Sequence, residues 1–484
     1  MTELDQTYWN QLAQVQSELS QKIINDPWRL TYHQMPVTGW MNDPNGAVQF
    51  DGVYHLYHQY VPDNPDGGLV HWGHKTSTDM VHFKEEELFL SPDKPYNKDG
   101  VYSGSAFVKD DEIHFFYTGN VKNPGDHDYT FSGREQNTVH VVSKDGFTIE
   151  LEEVVIPHED YPEGFTDHIR DPKVFEKNGM YYMVLGARAL NHRGKILLYS
   201  SSDLYKWEYE GVFAEGEKEM GYMWECPDFF ETEEADVLIF SPQGLKATAH
   251  QYENTHNAGY YLGKADWKKL KFNSESSFKE LDSGFDFYAP QTFEDESGRR
   301  ILWGWMGLGD TTPEYSNPTV ARGWQHAMTL PRELSVENGK LMQRPLKEYE
   351  MLRDNHTDVQ ISLNNESAAM EALNQKAFEL KVTIDSVDSN LSISLKEDTV
   401  LSYDNKVFTL SHGPSGYGRS ERSVEISDLH TIHVLADTSS LEIFLNDGEH
   451  VLSTRVYPKV EKDRIHFTGS ATLFAEKWDL NPSI

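Results

Sequence analysis

Three short motifs of this sequence place a carboxylate beside a proline, and these acids are its main candidates for chemistry. The motifs are Asn42-Asp43-Pro44, Arg170-Asp171-Pro172 and Glu225-Cys226-Pro227. If the chain brings the three acids into one cleft, repulsion and burial raise the pKa of at least one of them. Two carboxylates of unequal pKa are what cleavage of a glycosidic bond requires, one as proton donor and one facing the cationic centre.

The neighbours of each acid suggest its role. Glu225 lies between a tryptophan and a cysteine, surroundings poor in water, so it is the predicted proton donor. Asp43 is then the predicted nucleophile. Asp171 follows Arg170, whose guanidinium favours the ionised carboxylate, so Asp171 is predicted to hydrogen-bond the substrate.

Aromatic side chains recur near these motifs and indicate a sugar ligand, because flat rings stack on the C–H faces of sugars. The candidates are Trp40, Trp72, Trp224, Tyr288, Trp303 and Trp305. Core packing is the alternative for each ring. Trp303 and Trp305 lie two apart on one predicted strand, so they share a face and only one needs to touch a ligand. The candidate hydrogen-bonding side chains are Asn42, Gln59, Ser103 and Arg170.

The motifs belong to a repeat that predicts the fold. Five hairpins recur, and their second strands begin at Val53, Glu112, Met180, Asp236 and Arg300. Prolines open four of them at a mean spacing of about 62 residues, and a Ser-x-Asp turn follows several. Four-stranded units of this length predict a five-bladed β-propeller, with an irregular β-sandwich as the alternative. Because the first strand of each blade lines the central channel, the three acids are expected to meet at one end of it.

The predicted fold class is all-β, with a propeller, a second β domain and a short N-terminal helix. Apolar residues at helical spacing from Trp9 to Ile23 indicate a helix within an extension, 1–28. The propeller is predicted for 29–345, followed by a polar connector, 346–358. Alternating apolar and polar residues in 359–484 predict an antiparallel β-sandwich without clustered reactive groups.

Composition narrows the range of partners. The 484 residues include 43 basic and 78 acidic side chains, and the formal charge of −35 repels nucleic acids and anionic membranes. Cys226 is the only cysteine, the N-terminus lacks the pattern of a secretory signal, and no run approaches the roughly 20 apolar residues of a membrane span. We therefore expect a cytoplasmic monomer or homodimer that acts on a small-molecule sugar.

No metal or other cofactor is expected. His71 and His74 have the spacing of metal ligands, but no second pair follows at the spacing of a zinc site. Glycosidic cleavage by paired carboxylates requires no cofactor.

Together the motifs resemble those of glycoside hydrolase family 32, which comprises invertases and β-fructofuranosidases. The run "WMNDPNG" from Trp40 looks like the family's signature, "RDP" at 170–172 like its transition-state motif and "EC" at 225–226 like its acid/base motif. "YSGS" at 102–105 stands where the family usually has "FSGS", so Tyr102 is a departure that bears on pocket shape. The run from Leu435 to Pro458 is similar to the family's sandwich signature.

The resemblance implies retaining hydrolysis of terminal β-D-fructofuranosides, with sucrose or sucrose-6-phosphate as the expected substrate. It implies Asp43 as nucleophile, Asp171 as transition-state stabiliser and Glu225 as acid/base. It matches Asn42, Gln59, Trp72, Ser103 and Arg170 to fructose-binding positions. The predicted set of substrate-binding residues also includes Trp40, Met41, Tyr102, Tyr288 and Trp305.

Several alternatives stay open from the sequence. The same fold and motifs serve a hydrolase of short fructans or a fructosyltransferase, in which a sugar replaces water as the acceptor. An inverting arabinosidase or xylosidase would separate its carboxyls by more than roughly 7 Å, whereas a retaining enzyme holds them about 5–5.5 Å apart. A sugar-binding propeller without activity is the remaining alternative.

Overall fold

The computed structural model describes residues 6–217, 219–311, 314–371, 376–460 and 464–483. An N-terminal helix, α1 (Gln6–Ile23), lies where the apolar spacing predicted it. The strands as far as residue 345 are β1 (Gly39–Phe50), β2 (Val53–Val61), β3 (His71–Ser77), β4 (Lys84–Glu85), β5 (Val101–Lys109), β6 (Glu112–Lys122), β7 (Arg134–Ser143), β8 (Leu151–Ile156), β9 (Phe165–Lys177), β10 (Met180–Ala189), β11 (Gly194–Ser201), β12 (Glu208–Glu215), β13 (Met223–Glu231), β14 (Asp236–Gln243), β15 (Gly259–Asp266), β16 (Lys271–Ser274), β17 (Lys279–Glu280), β18 (Tyr288–Glu294), β19 (Arg300–Trp305), β20 (Trp324–Gln325), β21 (Arg332–Glu337) and β22 (Lys340–Pro345). Short 3-10 helices in the described ranges are His158–Asp160, Val320–Arg322, Lys347–Leu352, Pro414–Gly416 and Asn446–Gly448.

These strands form the five blades of a propeller, which confirms the predicted architecture. In chain order the blades consist of β1–β4, β5–β8, β9–β12, β13–β17 and, for the fifth, β18, β19, β21 and β22. The innermost strands are β1, β5, β9, β13 and β18. Each contacts the next and β18 contacts β1, so the ring closes around a central channel.

The hairpin pattern is confirmed at the level of single residues. The second strands of the five blades begin at Val53, Glu112, Met180, Asp236 and Arg300, as the turn residues predicted. The Ser-x-Asp turns also form. In the first blade the Asp79 carboxylate accepts hydrogen bonds from the backbone N–H groups of Val81 (2.9 Å) and His82 (2.8 Å). Aspartate stabilises such turns because its side chain bonds the backbone two residues ahead.

One strand of the ring lies outside the repeat pattern. The short β20, which follows β19 in the chain, pairs in parallel with β1 through Gly39↔Trp324 and Trp40↔Gln325. A two-residue strand carries no hydrophobic period, so the sequence pattern did not predict it. This pairing joins the last blade to the first and holds Trp40 at the mouth of the channel.

The second domain is a bent antiparallel sheet that forms a sandwich. Its strands are β23 (Arg353–Glu371), β24 (Phe378–Leu395), β25 (Thr399–Asp404), β26 (Val407–His412), β27 (Glu421–Glu425), β28 (Thr431–Asp437), β29 (Ser440–Leu445), β30 (His450–Arg455) and β31 (Arg464–Leu480). Polar and small residues interrupt the alternating pattern within 377–396 and within 464–477, but each stretch is one long strand. β24 pairs with β28 through residues 378–383 and with β25 through residues 390–395, and irregular register between these parts lets it cross between the layers.

Buried ion pairs join the sandwich to the propeller. The Arg332 guanidinium lies 3.0 Å from Asp282 Oδ2 and 2.7 Å from Glu442 Oε2, and all three side chains are fully buried. His33 Nε2 lies 3.1 Å from Glu442 Oε1. Glu442 belongs to the sandwich, whereas Arg332, Asp282 and His33 belong to the propeller domain. Because a buried charge is costly without its partner, these pairs define how the two domains meet.

Candidate active site

Irregular backbone marks the start of every innermost strand. In each blade the register between the first and second strands slips at the motif: between 41 and 44, 102 and 104, 170 and 173, 225 and 228, and 288 and 291. Asp171, Cys226 and Ala289 have φ of 64°, 48° and 47° although each precedes a proline. Residues before proline favour extended backbone, so these conformations are strained, as is frequent at functional sites.

At each motif, the irregular register between the first and second strands turns the residue before the proline, or one next to it, toward the channel. Pro44, Pro172, Pro227 and Pro290 line one small cavity together with Asp171 and Ser103. The second blade has Gly104 in place of proline. A Cβ at Gly104 would lie 2.0 Å from the carbonyl oxygen of Phe116, so only glycine allows β5 and β6 to approach this closely.

The structure brings the three carboxylates of the sequence motifs together. Cys226 Sγ lies 3.7 Å from Asp43 Oδ2 and 3.7 Å from Asp171 Oδ2, and the Cys226 backbone N–H donates to Asp171 Oδ2 at 3.0 Å. Burial, together with the nearby charges of Asp171, Asp43 and Glu225, raises the pKa of the thiol well above its usual value. Cys226 therefore stays protonated between two acids, where it can donate a weak hydrogen bond.

A chain of hydrogen bonds from the first two blades holds the Asp43 carboxylate. Ser103 Oγ donates to Asp43 Oδ2 (2.5 Å) and Asn42 Nδ2 donates to Asp43 Oδ1 (3.0 Å). Gln59 bonds both of these donors, at 2.6 and 2.7 Å, and Trp40 Nε1 donates to Asn42 Oδ1 at 2.7 Å. Burial raises the pKa of Asp43, and the charge of Glu225 adds to this, while the hydrogen bonds act in the opposite direction. The carboxylate is thus fixed in position with one face toward the channel.

Glu225 lies in a more polar environment than the sequence suggested. Its carboxylate accepts hydrogen bonds from Arg170 Nη2 (2.5 Å), Tyr288 OH (2.6 Å) and Gln243 Nε2 (2.8 Å). Burial alone would raise the pKa of Glu225, but the Arg170 charge and these hydrogen bonds outweigh it and lower the pKa. In the free site the surroundings of Glu225 therefore favour its ionised form, and its role as proton donor stays a prediction.

Asp171 differs from its prediction in the opposite sense. The Arg170 guanidinium lies 3.9 Å from Asp171 Oδ2 and is turned toward Glu225. Burial, with the charges of Glu225 and Asp43, raises the pKa of Asp171 to about 7 in spite of the attraction of Arg170. Adjacent sequence position did not make Arg170 the main partner of Asp171. With a pKa of about 7, Asp171 is partly protonated at neutral pH in the free site.

The predicted substrate-binding residues divide into two groups. Trp40, Tyr288 and Trp305 form an aromatic wall, with the Trp40 and Trp305 ring centroids 5.9 Å apart and those of Tyr288 and Trp305 6.4 Å apart. The second group surrounds the end of the channel that holds the acids, which we call the funnel. Its members lie on β1, β2, β5 and β9 and are Asn42, Gln59, Ser103, Arg170 and the partly exposed Tyr102.

Met41 and Trp72, predicted to bind substrate, are both fully buried in hydrophobic clusters. The Trp72 indole N–H donates to the Tyr102 carbonyl oxygen at 3.1 Å, so Trp72 supports the pocket from behind and does not present a face to it. The candidate aromatics Trp224 and Trp303 are also buried core residues. Core packing, the alternative for each tryptophan, accounts for these three.

Several polar residues at the site were missed from the sequence. Gln243 bonds Glu225, Thr118 Oγ1 accepts the Asp171 backbone N–H at 3.0 Å, and His168 Nδ1 accepts Arg170 Nη1 at 2.6 Å. A signal for Gln243 was present. Gln243 is the last residue of the second strand in the fourth blade, and Gln59 lies near the end of the second strand in the first blade. In both blades this strand pairs with the strand that carries a catalytic acid candidate, so a glutamine at this position is a signal of the site.

Asp171→Asn is expected to stabilise the protein at the cost of activity. With a folded pKa of about 7 against 3.8 unfolded, ionised Asp171 weakens the fold increasingly from about pH 4 to pH 7. The substitution removes this penalty, on the order of 4 kcal/mol at pH 8 and under about 2 kcal/mol at pH 5. Chemical denaturation at both pH values measures it.

The exposed turn residue Asp51 supplies the control, because Asp51→Asn removes the same charge without changing the site. Equal effects of the two substitutions, or a larger gain at pH 5 than at pH 8, would contradict the raised pKa of Asp171.

The histidines with metal-like spacing have other partners. His71 Nε2 contacts Tyr8 OH at 2.7 Å, and His74 Nε2 contacts His55 Nδ1 at 3.0 Å. Within the described ranges, no three histidine, cysteine, aspartate or glutamate side chains are grouped as a metal site requires. None of the helices among those residues is both long and apolar enough to cross a bilayer.

The fold and the site together define a propeller enzyme that cleaves carbohydrates. The chain belongs to glycosyl hydrolase family 32: the family's N-terminal domain matches residues 33–345 and its C-terminal domain matches residues 348–479. The resemblance of the sequence motifs to this family is thereby confirmed.

Relatives with similar sequence or structure span nearly the whole chain. The sucrose-6-phosphate hydrolase of Bacillus subtilis (strain 168) is 42% identical over 455 residues, covering 93% of this chain and 92% of that protein. The structure of sucrose-6-phosphate hydrolase from Lactobacillus gasseri is similar with a TM-score of 0.87 at 30% identity, covering 98% and 97% of the two chains. A Bombyx mori β-fructofuranosidase has a TM-score of 0.85 at 30% identity and 99% coverage of both.

Proposed function

We propose that this protein hydrolyses terminal β-D-fructofuranosides with retention of configuration, and that its substrate is sucrose-6-phosphate or sucrose. The observation that carries the proposal is the meeting of Asp43, Asp171 and Glu225 at one end of the propeller channel, with Asp43 held by hydrogen bonds and Glu225 bonded to an arginine. The names of the similar proteins support sucrose-6-phosphate as the substrate.

In the first step, Asp43 attacks the anomeric carbon of the fructosyl group while Glu225 gives its proton to the glycosidic oxygen. The bond between the anomeric carbon and that oxygen breaks, and the glucose part leaves. Ser103 and Asn42 keep the attacking carboxylate aligned, so little reorganisation is needed during the attack. The fructosyl group is then held on Asp43 as an ester.

The lowered pKa of Glu225 in the free site sets a condition on this step. Glu225 has to be protonated when the glycosidic oxygen leaves, so substrate binding must raise its pKa. A bound sugar does so by excluding water and by drawing the Arg170 guanidinium, now 2.5 Å from Glu225, toward its own hydroxyl groups. The charges of Glu225 and Asp43 both raise the pKa of Asp171, so protonation of any one of the three acids depends on the other two.

In the second step, Glu225 as a base removes a proton from water, which attacks the anomeric carbon and releases Asp43. Two inversions at one carbon give net retention. The carboxyl separation of about 5–5.5 Å between Asp43 and Glu225 stays a prediction for the complex with substrate. Asp171 is proposed to bond the fructose hydroxyls in the transition state.

A cytoplasmic location is proposed with this function, for a chain that acts as a monomer or homodimer. A phosphorylated disaccharide carries a charge that prevents passive passage through a bilayer, so the enzyme that cleaves it must be in the same compartment. The single cysteine of the chain agrees with a reducing compartment.

Steady-state kinetics on sucrose, sucrose-6-phosphate and 1-kestose test the function. We expect release of free fructose from sucrose-6-phosphate with a kcat/KM at least about 10-fold above that of sucrose, and weaker cleavage of 1-kestose. NMR of the first-formed fructose is expected to show the β anomer. Release of the α anomer, oligosaccharide products in place of fructose, or no cleavage of any of the three would contradict the proposal.

A further inference from the structure

Arg188, near the end of β10, is half-buried, and its arrangement differs from that of the fully buried Arg332 and Arg419. Its guanidinium lies between two aromatic rings, 4.4 Å from the Tyr222 centroid and 4.9 Å from the Phe131 centroid. Among the described residues it has no ion pair within 4.0 Å and no hydrogen-bond partner, and its Nε is buried and unpaired. Asp128 acts on it only from a greater distance.

An unpaired arginine is unexpected in so acidic a protein. Acidic side chains outnumber basic ones by 78 to 43, so partners for a cation are abundant. Arg332 and Arg419 illustrate the usual arrangement, with carboxylates at 2.7 Å. A guanidinium held between two rings without a carboxylate keeps its N–H donors free for a ligand. Arginine binds phosphate oxygens with two parallel hydrogen bonds, as it binds carboxylate oxygens.

Arg188 lies beside the part of the site where the leaving group departs. In the ladder of the third blade Gly186, two residues earlier, pairs with Arg170, which bonds Glu225. Tyr222, which stacks on Arg188, is three residues before Glu225, and charges on both residues act on its phenol. Because Glu225 faces the glycosidic oxygen, a group attached to the leaving sugar extends toward this side of the funnel.

A second arginine, Arg134 at the start of β7, packs against the same turn between β6 and β7. The Arg134 guanidinium lies 5.9 Å from the Tyr129 ring centroid, and its Nε is also buried and unpaired. Tyr129 and Phe131 belong to one turn between β6 and β7, so this turn orients both arginines. The charges of Arg134 and Arg170 both lower the pKa of His168, which places Arg134 on the same side of the funnel.

We propose that Arg188, assisted by Arg134, binds the phosphate of the leaving glucose-6-phosphate and so makes the enzyme select phosphorylated over free sucrose. This inference rests on the proposed hydrolysis of fructosides and adds the residues that set its specificity. Binding is electrostatic and by hydrogen bonds, and no bond other than the glycosidic bond is broken.

Substitution of Arg188 by glutamine tests the inference. In Arg188→Gln we expect kcat/KM for sucrose-6-phosphate to fall roughly 30- to 100-fold, because one partner of a charged pair is lost. The kcat/KM for sucrose is expected to change by less than about 3-fold, which also reports that the variant is folded. Arg188→Lys keeps the charge without the planar fork and should give an intermediate loss.

Arg193→Gln is the matched control, because it removes the same charge from a nearby arginine. Arg193 lies four residues after the end of β10, and its charge acts on Glu215. It should leave both substrates unaffected. Glucose-6-phosphate as a competitive inhibitor gives a second readout: its inhibition constant should rise in Arg188→Gln, while that of glucose stays constant.

The outcomes separate the two proposals. If the wild-type enzyme prefers sucrose-6-phosphate and Arg188→Gln retains that preference, or loses both activities equally, the role of Arg188 is overturned while the hydrolysis of fructosides stands. If the wild-type enzyme cleaves both substrates equally well, the inference also fails. If it cleaves neither, the proposed function itself fails.

Discussion

Asp43→Asn is expected to lower kcat for sucrose-6-phosphate by at least about 10⁴-fold while the fold and the affinity for sugar persist. Asparagine cannot form the ester with the anomeric carbon, so the two-step route is lost. Its side chain has nearly the same shape and can still accept the hydrogen bond from Ser103 or Asn42. The loss should therefore appear in turnover and not in binding.

Two measurements separate these effects. Titration calorimetry with sucrose-6-phosphate gives the dissociation constant of the inactive variant, and thermal unfolding reports its fold. The exposed Asp51→Asn is the control for loss of one charge and should retain wild-type kcat. Residual activity above about 1% of wild type would contradict Asp43 as the nucleophile.

The second large effect is a loss of stability in mild acid. Six histidines of the propeller are at least 97% buried; hydrogen bonds to two acids raise the pKa of His33, and burial is the first cause that lowers the pKa of the other five. The values fall from 6.5 to about 4 for His55 and His71, to about 3 for His58 and His140, and to about 2 for His74. These groups stay neutral in the folded protein at pH values where the unfolded chain takes up protons.

The sign and size of the effect follow from this difference in proton binding. Each histidine favours the folded state above pH 6.5 and loses that contribution as the pH falls, by about 2 kcal/mol at pH 5. Asp171 and Glu280, both with a pKa raised to about 7, act in the opposite sense and return about 2 kcal/mol each. The histidines outnumber these two acids, so we expect a net loss of stability between pH 7 and pH 5 on the order of 5 kcal/mol, comparable with the stability of a whole domain.

Denaturant unfolding at several pH values from 8 to 5 measures how steeply the free energy of unfolding falls with pH, which is the slope in question. In His140→Phe the slope should be shallower, whatever the absolute stability of the variant. The histidine ring, stacked on Phe116 with the ring centroids 4.5 Å apart, is replaced by one that cannot titrate. His82→Gln, at a half-exposed side chain, is the control for replacing a histidine outside the core. A free energy of unfolding that is constant from pH 7 to pH 5 would contradict neutral buried histidines.

Local sequence patterns were sufficient to predict the propeller and the grouping of its acids. Hairpin turns, alternating residues and the repeated proline are properties of neighbours along the chain, and the five second strands begin where those turns end. Once the repeat was identified as a ring, its symmetry required Asp43, Asp171 and Glu225 to meet at the channel. The pairs of β24 with β28 and with β25 were not accessible in this way, because the polar run at 385–389 has the pattern of a turn although one strand continues through it.

The ionisation of the acids was decided only by the tertiary structure. Adjacent sequence position suggested that Arg170 would hold Asp171 ionised, yet the guanidinium reaches across to Glu225 on the next blade, which reverses the order of the two pKa values. In the same way, only packing decided that Trp72 lies behind the pocket while Trp40 faces it. A pKa and the exposure of a side chain depend on every group within a few ångströms, and most of those groups come from other parts of the chain.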